Sequence, residues 1–154
     1  MAAYLVTDNP RATEALGEAV GHALTGGAVV LLEGELGGGK TTFVRGLVRG
    51  AGVTAEARSP TFTLIRGYGR VIHADLYRLA PGDAVVQELE EYLDGDFIVA
   101  VEWGAAFAAR VPPDVPTLRL KFDILDAERR GITAFIGSAF PTATRAVLEG
   151  ILCG

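Results

Sequence analysis

The chain of 154 residues has one cysteine, Cys153, and no long apolar run. A lone thiol forms neither an intrachain disulfide nor a thiolate metal site, so we expect a reducing, cytoplasmic environment. A membrane-spanning helix needs about 18 uninterrupted apolar residues, which no stretch of the sequence provides. Residues 1–8 turn polar too early for a secretory signal. Together these absences predict a soluble protein without membrane association.

Basic residues are also scarce. The chain has 14 Lys and Arg against 19 Asp and Glu, a formal net charge of −5, and its longest basic run is Arg129-Arg130. Proteins that bind nucleic acid unaided need a cationic surface, because contacts with phosphates supply most of the affinity. We therefore expect that any role on RNA requires a partner.

Hydrophobic residues, by contrast, make up 49% of the chain, and no repeat or linker interrupts it. This composition predicts one compact domain spanning residues 1–154.

The most informative segment is Gly34-Glu35-Leu36-Gly37-Gly38-Gly39-Lys40-Thr41, which fits the G-x-x-x-x-G-K-[ST] pattern of a phosphate-binding loop. A chance match in a chain of this composition has a probability of about three in a thousand. Residues 28–32 form an apolar run typical of a buried strand, and a helical pattern starts at residue 43. Strand, loop and helix follow in the order that a nucleotide site requires.

Each residue type in this loop suits polyphosphate binding. Gly37, Gly38 and Gly39 let backbone N–H groups approach the phosphates closely. Lys40 supplies a positive charge for the β- and γ-phosphates, and the Thr41 hydroxyl is suited to Mg²⁺.

Hydrolysis or transfer of phosphate also needs a carboxylate near the metal. Glu102 follows the apolar strand 97–101, and Asp75 lies toward the end of strand 71–78. We assign Glu102 to the metal shell and Asp75 to positioning of water or metal. His73 is interpreted either as a proton carrier or as a ring bonded to backbone groups, and Trp103 either as part of the core or as a wall of the site.

Strand and helix patterns alternate along the chain. Helices are predicted over residues 10–24, from 43 to about 50, and over 83–93 and 141–152, and strands over 28–32, 58–65, 71–78, 97–101, 117–124 and 132–136. Residues 68–70 are predicted to form a tight hairpin, and the half-polar strand 117–124 to lie toward one edge. The pattern predicts an α/β, P-loop NTPase-like fold of three layers, with a mainly parallel central sheet and antiparallel strands at its edges.

The base that the nucleotide carries is predicted from an absence. Guanine-specific enzymes usually carry an Asn/Thr-Lys-x-Asp element, yet the two lysines, Lys40 and Lys121, are followed by Thr41 and Phe122. No Asp-x-x-Gly element occurs either. These absences favour ATP over GTP.

The sequence resembles the TsaE family, the bacterial P-loop ATPases of tRNA N6-threonylcarbamoyladenosine synthesis. The resemblance rests on four blocks in family order, which are 34–43, 59–64 (Ser-Pro-Thr-Phe-Thr-Leu), 73–79 (His-Ala-Asp-Leu-Tyr-Arg-Leu) and 101–103 (Val-Glu-Trp). It extends over nearly the whole chain.

The resemblance implies ATP or ADP and Mg²⁺ as cofactors. It implies nucleotide contacts from Leu36, Gly37, Gly38, Gly39, Lys40, Thr41, Thr42 and Arg129, with Arg130 as the alternative to Arg129. It further implies Mg²⁺ ligation by Thr41 and Glu102, catalytic roles for Asp75, Lys40 and Glu102, and a switch-like role for the Ser59-Pro60-Thr61 loop.

The resemblance also implies partners. The family hydrolyses ATP in an assembly with the TsaB and TsaD proteins, and tRNA would be reached only through that complex. Two alternatives stay open. One is a small P-loop kinase that phosphorylates a metabolite, for which no acceptor pocket is evident in the sequence, and the other is a nucleotide-gated binding module.

Overall fold

The computed structural model describes residues 2–53, 65–77 and 84–153. Its elements follow one another as β1 (Ala2–Thr7), α1 (Pro10–Ala23), β2 (Ala28–Gly34), α2 (Lys40–Gly50), β3 (Ile65–Tyr68), β4 (Val71–Asp75), α3 (Ala84–Glu90), β5 (Ile98–Glu102), α4 (Ala105–Ala108), β6 (Thr117–Ile124), β7 (Arg130–Ile136) and α5 (Thr142–Leu152). No helix in these ranges has the length and apolar character needed to cross a membrane.

The described strands form one sheet in the order β1-β7-β6-β2-β5-β4-β3. The four strands from β6 to β4 run parallel, with β2 between β6 and β5. At one edge β7 and β1 add in antiparallel fashion, and at the other edge β3 pairs antiparallel with β4. The predicted arrangement, a parallel centre with antiparallel strands at the edges, is confirmed.

Helices cover both faces of the parallel centre. One core packs residues of α1, α2 and α5 against the sheet, and a second packs α3 and α4 against the opposite face. Strand β5 is buried along its whole length, which explains why its sequence is continuously apolar instead of alternating. The three-layer prediction is therefore confirmed.

Helices α1 and α2 make backbone contact through four glycines. A Cβ atom built on Gly46 or Gly50 of α2 would lie 1.9 Å from a carbonyl oxygen of α1, and one built on Gly17 or Gly21 of α1 would lie 2.1 or 2.2 Å from a carbonyl oxygen of α2. Non-bonded atoms cannot approach so closely, so only glycine fits at these positions. This contact fixes α1 against the helix that starts at the glycine-rich loop.

Several sequence-based boundaries are confirmed. The predicted helices at 10–24 and 141–152 correspond to α1 and α5, and Gly69-Arg70 forms the tight connection between β3 and β4. The edge assignment of 117–124 is wrong, because β7 and β1 lie outside β6. The polar side chains of this strand alternate with buried apolar ones although the strand lies inside the sheet, so the alternation does not mark an edge.

Strand β1 was not predicted, and most of the predicted strand 58–65 lies outside the described residues. The Ser59-Pro60-Thr61 loop and Arg78 lie outside them as well.

Candidate functional site

The glycine-rich loop connects the end of β2 to the start of α2. Gly37 and Gly39 have φ values of +77° and +102°, in the left-handed region that side chains disfavour. Gly39 is the residue that precedes the first turn of α2, and the Gly38 N–H donates to the Glu35 carbonyl at 3.0 Å. These glycines therefore shape a tight loop at the positive end of the helix dipole, which favours an anion.

Lys40 is the first residue of α2 and is only 4% exposed. Its Nζ donates to the carbonyl oxygens of Gly34 and Glu35 at 2.6 and 2.8 Å, and it lies 4.4 Å from the ring centroid of Trp103. The pKa of Lys40 is lowered because burial disfavours its charge, although the negative charge of Glu102 opposes that effect. The ammonium group is thus held against the loop by two backbone carbonyl groups.

Glu102 ends β5 and is also 4% exposed. The Thr41 hydroxyl donates toward both of its carboxylate oxygens, at 3.0 Å to Oε1 and 2.9 Å to Oε2. His73 Nε2 lies 2.6 Å from Oε2. Burial works against the charged carboxylate, yet the bonds from His73 and Thr41 and the charge of Lys40 hold the pKa of Glu102 below its ordinary value. The carboxylate is therefore ionised and oriented.

Asp75 ends β4 in register with Glu102 on the neighbouring parallel strand. In contrast to Glu102 it is exposed, and its Oδ1 accepts a hydrogen bond from the Tyr77 N–H at 3.0 Å. Parallel strands present in-register side chains on the same face, so both carboxylates stand at the same edge of the site. Both carboxylates line the same cavity as the glycine-rich loop.

Trp103 forms a wall of the site. Its φ is +58°, and among the described residues other than glycine it alone has a positive φ. The backbone N–H of Trp103 donates to the Leu32 carbonyl at 2.8 Å, and the centroid of its ring lies 4.8 Å from that of Tyr77. Such a backbone conformation costs roughly 1–3 kcal/mol and persists only where the surroundings enforce it. Here it turns the indole toward Lys40.

These elements enclose a cavity of about 300 Å³. Its lining consists of Pro10, Thr13, Leu36, Gly37, Gly38, Gly39, Lys40, Thr41, Thr42, Asp75, Glu102, Trp103, Glu128 and Arg130. All the predicted loop residues from Leu36 to Thr42 contribute to it. Pro10 and Thr13 come from the start of α1, and no sequence signal marked them because Thr13 lies on the buried face of that helix.

Arg130, and not Arg129, lines this cavity. One of its guanidinium nitrogens donates to the Gly37 carbonyl at 3.0 Å, and its buried Nε has no hydrogen-bond partner among the described residues. Arg129 instead pairs with Asp126 through an exposed contact of 2.7 Å. The structure thus places the alternative residue of the Arg129-Arg130 pair at the site, with a buried donor that a ligand oxygen would satisfy.

A second cavity of about 430 Å³ lies between α2 and the β3–β4 hairpin. It shares Thr41, Asp75 and Glu102 with the first cavity, so these three residues form a partition between the two. The rest of its described lining is Val44, Arg45, Val48, Arg66, Tyr68 and His73. No sequence pattern indicated this space.

The described residues contain no cluster of three or more His, Cys, Asp or Glu side chains arranged to hold a metal ion. Mg²⁺ is commonly held by one or two carboxylates together with phosphate oxygens of the substrate. Thr41 and Glu102 supply oxygen donors of that kind at the base of the loop. The residues present therefore fit Mg²⁺ that arrives with a nucleotide.

A strand, a glycine-rich loop and a helix beginning Lys-Thr, with carboxylates at the ends of adjacent parallel strands, define a P-loop protein of the α/β class. The family model for threonylcarbamoyl adenosine biosynthesis protein TsaE matches residues 7–132. The chain belongs to the TsaE family.

Individual relatives agree with this assignment. The chain is 50% identical to the tRNA threonylcarbamoyladenosine biosynthesis protein TsaE of a Nostoc species, over 57% of this chain and 59% of that protein. It is 34% identical to the TsaE protein of Streptomyces coelicolor, over 88% of this chain and 98% of that one. The crystal structure of YdiB from Bacillus subtilis superposes with a TM-score of 0.72 at 29% identity, covering 98% of this chain and 94% of YdiB.

Proposed function

We propose that the protein binds ATP with Mg²⁺ and hydrolyses it to ADP and phosphate, as the ATPase component of threonylcarbamoyladenosine formation in tRNA. The observation that carries the proposal is the cluster of Lys40, Thr41 and Glu102 beneath the loop, with Asp75 beside it. Membership of the TsaE family supports the tRNA pathway.

In this proposal the chain's own groups divide the work. The N–H groups of the loop and the Lys40 ammonium bind the β- and γ-phosphates, where negative charge concentrates. Asp75, which is exposed at the edge of the cavity, orients the attacking water and accepts its proton. The water oxygen bonds to the γ-phosphorus as the bond from that phosphorus to the ADP oxygen breaks.

Thr41 and Glu102 are the residues that would hold Mg²⁺, which when bound neutralises charge on the phosphate oxygens. Their hydrogen bond brings the two oxygen donors together.

We further propose that the protein acts with TsaB and TsaD and reaches tRNA only through them, in the cytoplasm. The net charge of −5 supports this, because an acidic surface repels tRNA phosphates. We expect slow turnover by the protein alone, because stabilisation supplied in trans is worth about 10³–10⁵ in rate where it has been dissected in phosphoryl transfer.

The test is steady-state hydrolysis of ATP and GTP with Mg²⁺, first by the protein alone and then with TsaB, TsaD and tRNA. We expect ATP to be preferred, weak turnover alone and a large increase with the partners. Full activity and tight tRNA binding without partners would overturn the proposal that the protein acts through partners. Binding of GTP that equals or exceeds the binding of ATP would overturn the proposed preference for adenine.

The second cavity favours one alternative, a kinase that transfers the γ-phosphate to a metabolite. Its volume of about 430 Å³ exceeds the roughly 30 Å³ that one water occupies in the liquid, and it adjoins Asp75 and Glu102. Its walls include Arg45 and Arg66, which suit an anionic acceptor. Release of free phosphate that matches ADP formation in metabolite-supplemented reactions would rule out this kinase.

A further inference from the structure

We infer that His73 is a positioning residue, which holds Oε2 of Glu102 and leaves Oε1 to face the Mg²⁺ of the bound nucleotide. The inference deepens the proposed function and rests on it. It assigns to His73 a role that the sequence pattern did not indicate.

The first observation is the contact itself. His73 Nε2 lies 2.6 Å from Glu102 Oε2, and the two side chains are only 15% and 5% exposed. An ionised carboxylate accepts hydrogen bonds and donates none, so the ring nitrogen is the donor. A bond of this length to a charged acceptor is among the stronger kinds in proteins.

The second observation is how the sheet allows the contact. On the parallel strands β4 and β5, His73 is in register with Ala100, and Asp75 is in register with Glu102. His73 therefore reaches Glu102 diagonally, past a residue whose side chain is one methyl group. A larger residue than Ala100 would stand between the imidazole and the carboxylate.

The third observation concerns the two oxygens of Glu102. Thr41 Oγ1 lies 3.0 Å from Oε1 and 2.9 Å from Oε2, whereas His73 contacts Oε2. If the Thr41 hydroxyl were to bond to Mg²⁺ instead of to the carboxylate, the bond from His73 to Oε2 would still fix the rotation of the Glu102 carboxylate. Partners of this kind set the orientation of metal ligands, and their loss typically lowers metal affinity about 10–100-fold.

This geometry disfavours both sequence-based interpretations of His73. Its described hydrogen bond goes to a carboxylate and not to a backbone group. The imidazole also lies behind Glu102, on the side of the second cavity, and is absent from the lining of the first. It therefore does not line the cavity in which we propose that the phosphates bind.

The experiment compares two variants of similar volume, His73→Leu, which lacks a donor, and His73→Gln, whose amide nitrogen replaces Nε2. ADP and ATP affinities are measured by calorimetry in Mg²⁺ and in a chelator, so the readout does not depend on turnover. We expect His73→Leu to lower the Mg²⁺-dependent gain in affinity about 10–100-fold while affinity in chelator stays within about twofold. His73→Gln should restore most of the gain.

The control is His22→Ala, which removes the other histidine of the chain from an exposed position and should change neither affinity. Thermal unfolding of each variant shows whether it is folded at the assay temperature. If His73→Leu is unfolded, the Mg²⁺-dependent gain in affinity of folded His73→Gln tests the inference. A wild-type protein without any Mg²⁺-dependent gain would overturn the proposed function and this inference together. A normal wild-type gain that His73→Leu retains, or that folded His73→Gln loses, would overturn the inference alone.

Discussion

Two regions of the cavity differ in how they are held. The floor, which we define as Lys40 and Glu102, is buried, and each of its charged groups already has short hydrogen bonds. The rim, which we define as Leu36, Asp75 and Arg130, is more open: Leu36 is 61% exposed, Asp75 is exposed and accepts a hydrogen bond from the Tyr77 N–H, and Arg130 is half-buried. The floor is thus held in place by hydrogen bonds within the protein, whereas the rim is more accessible to reacting groups.

Because of this difference, we expect substitutions in the two regions to affect different steps, ligand binding for the floor and turnover for Asp75 of the rim. Preorganised groups cost little to use when a ligand binds, so the floor should determine affinity for the nucleotide and metal. Asp75 takes no part in the hydrogen bonds described for the floor and is the proposed acceptor of the water's proton, so it should affect turnover. The following substitutions test the division.

The largest effect is expected from Lys40→Ala at the floor. The variant loses the ammonium that would contact the phosphates, and hydrogen bonds to charged groups are worth about 1.5–3 kcal/mol each, so two contacts predict about 10²–10⁴-fold weaker ATP binding. Calorimetric titration measures it. Wild-type affinity in a folded Lys40→Ala protein would remove Lys40 from the site.

The next effect separates the two strand-end carboxylates. Asp75→Asn should lower ATP turnover by about 10²-fold or more and leave ATP affinity within about twofold, because it removes a proton acceptor of nearly the same shape. Glu102→Gln should instead weaken the Mg²⁺-dependent part of nucleotide binding. Parallel measurement of kcat and of Kd with and without Mg²⁺ distinguishes them. If the two variants exchange these phenotypes, the metal belongs to Asp75.

The smallest effect concerns the two adjacent arginines. Arg130→Ala removes the contact with the Gly37 carbonyl and a half-buried guanidinium from the cavity wall, and should weaken ATP binding about tenfold. Arg129→Ala is the matched control, because it breaks only the exposed pair with Asp126 and should change affinity less than twofold. A larger loss in Arg129→Ala than in Arg130→Ala would restore the original assignment.

The floor could be predicted from sequence because its residues lie in short motifs or end a buried strand. Lys40 and Thr41 belong to a contiguous pattern, and Glu102 follows an apolar run. The parallel centre was predictable for the same reason, since strands covered on both faces read as continuous apolar segments.

The remainder depends on contacts between distant parts of the chain. The bond from His73 to Glu102 joins residues 29 positions apart, and the choice between Arg129 and Arg130 depends on how one turn packs on the loop. The burial of strand β1 alternates, but its exposed positions include the apolar residues Tyr4 and Val6, so its sequence does not alternate between polar and apolar residues. Its pairing with β7 defines it. The interior position of β6 likewise follows from strands that come before and after it in the chain.

The backbone contact of α1 with α2 makes the two helices one mechanical part. Carbonyl oxygens of each helix occupy the notches left by Gly17, Gly21, Gly46 and Gly50 of the other, so neither can slide along its partner without atomic overlap. Any displacement of the loop at the start of α2 must therefore move α1 and α2 together as one rigid unit. Because Asn9 caps α1 directly after β1, this unit is connected to the strand at one edge of the sheet.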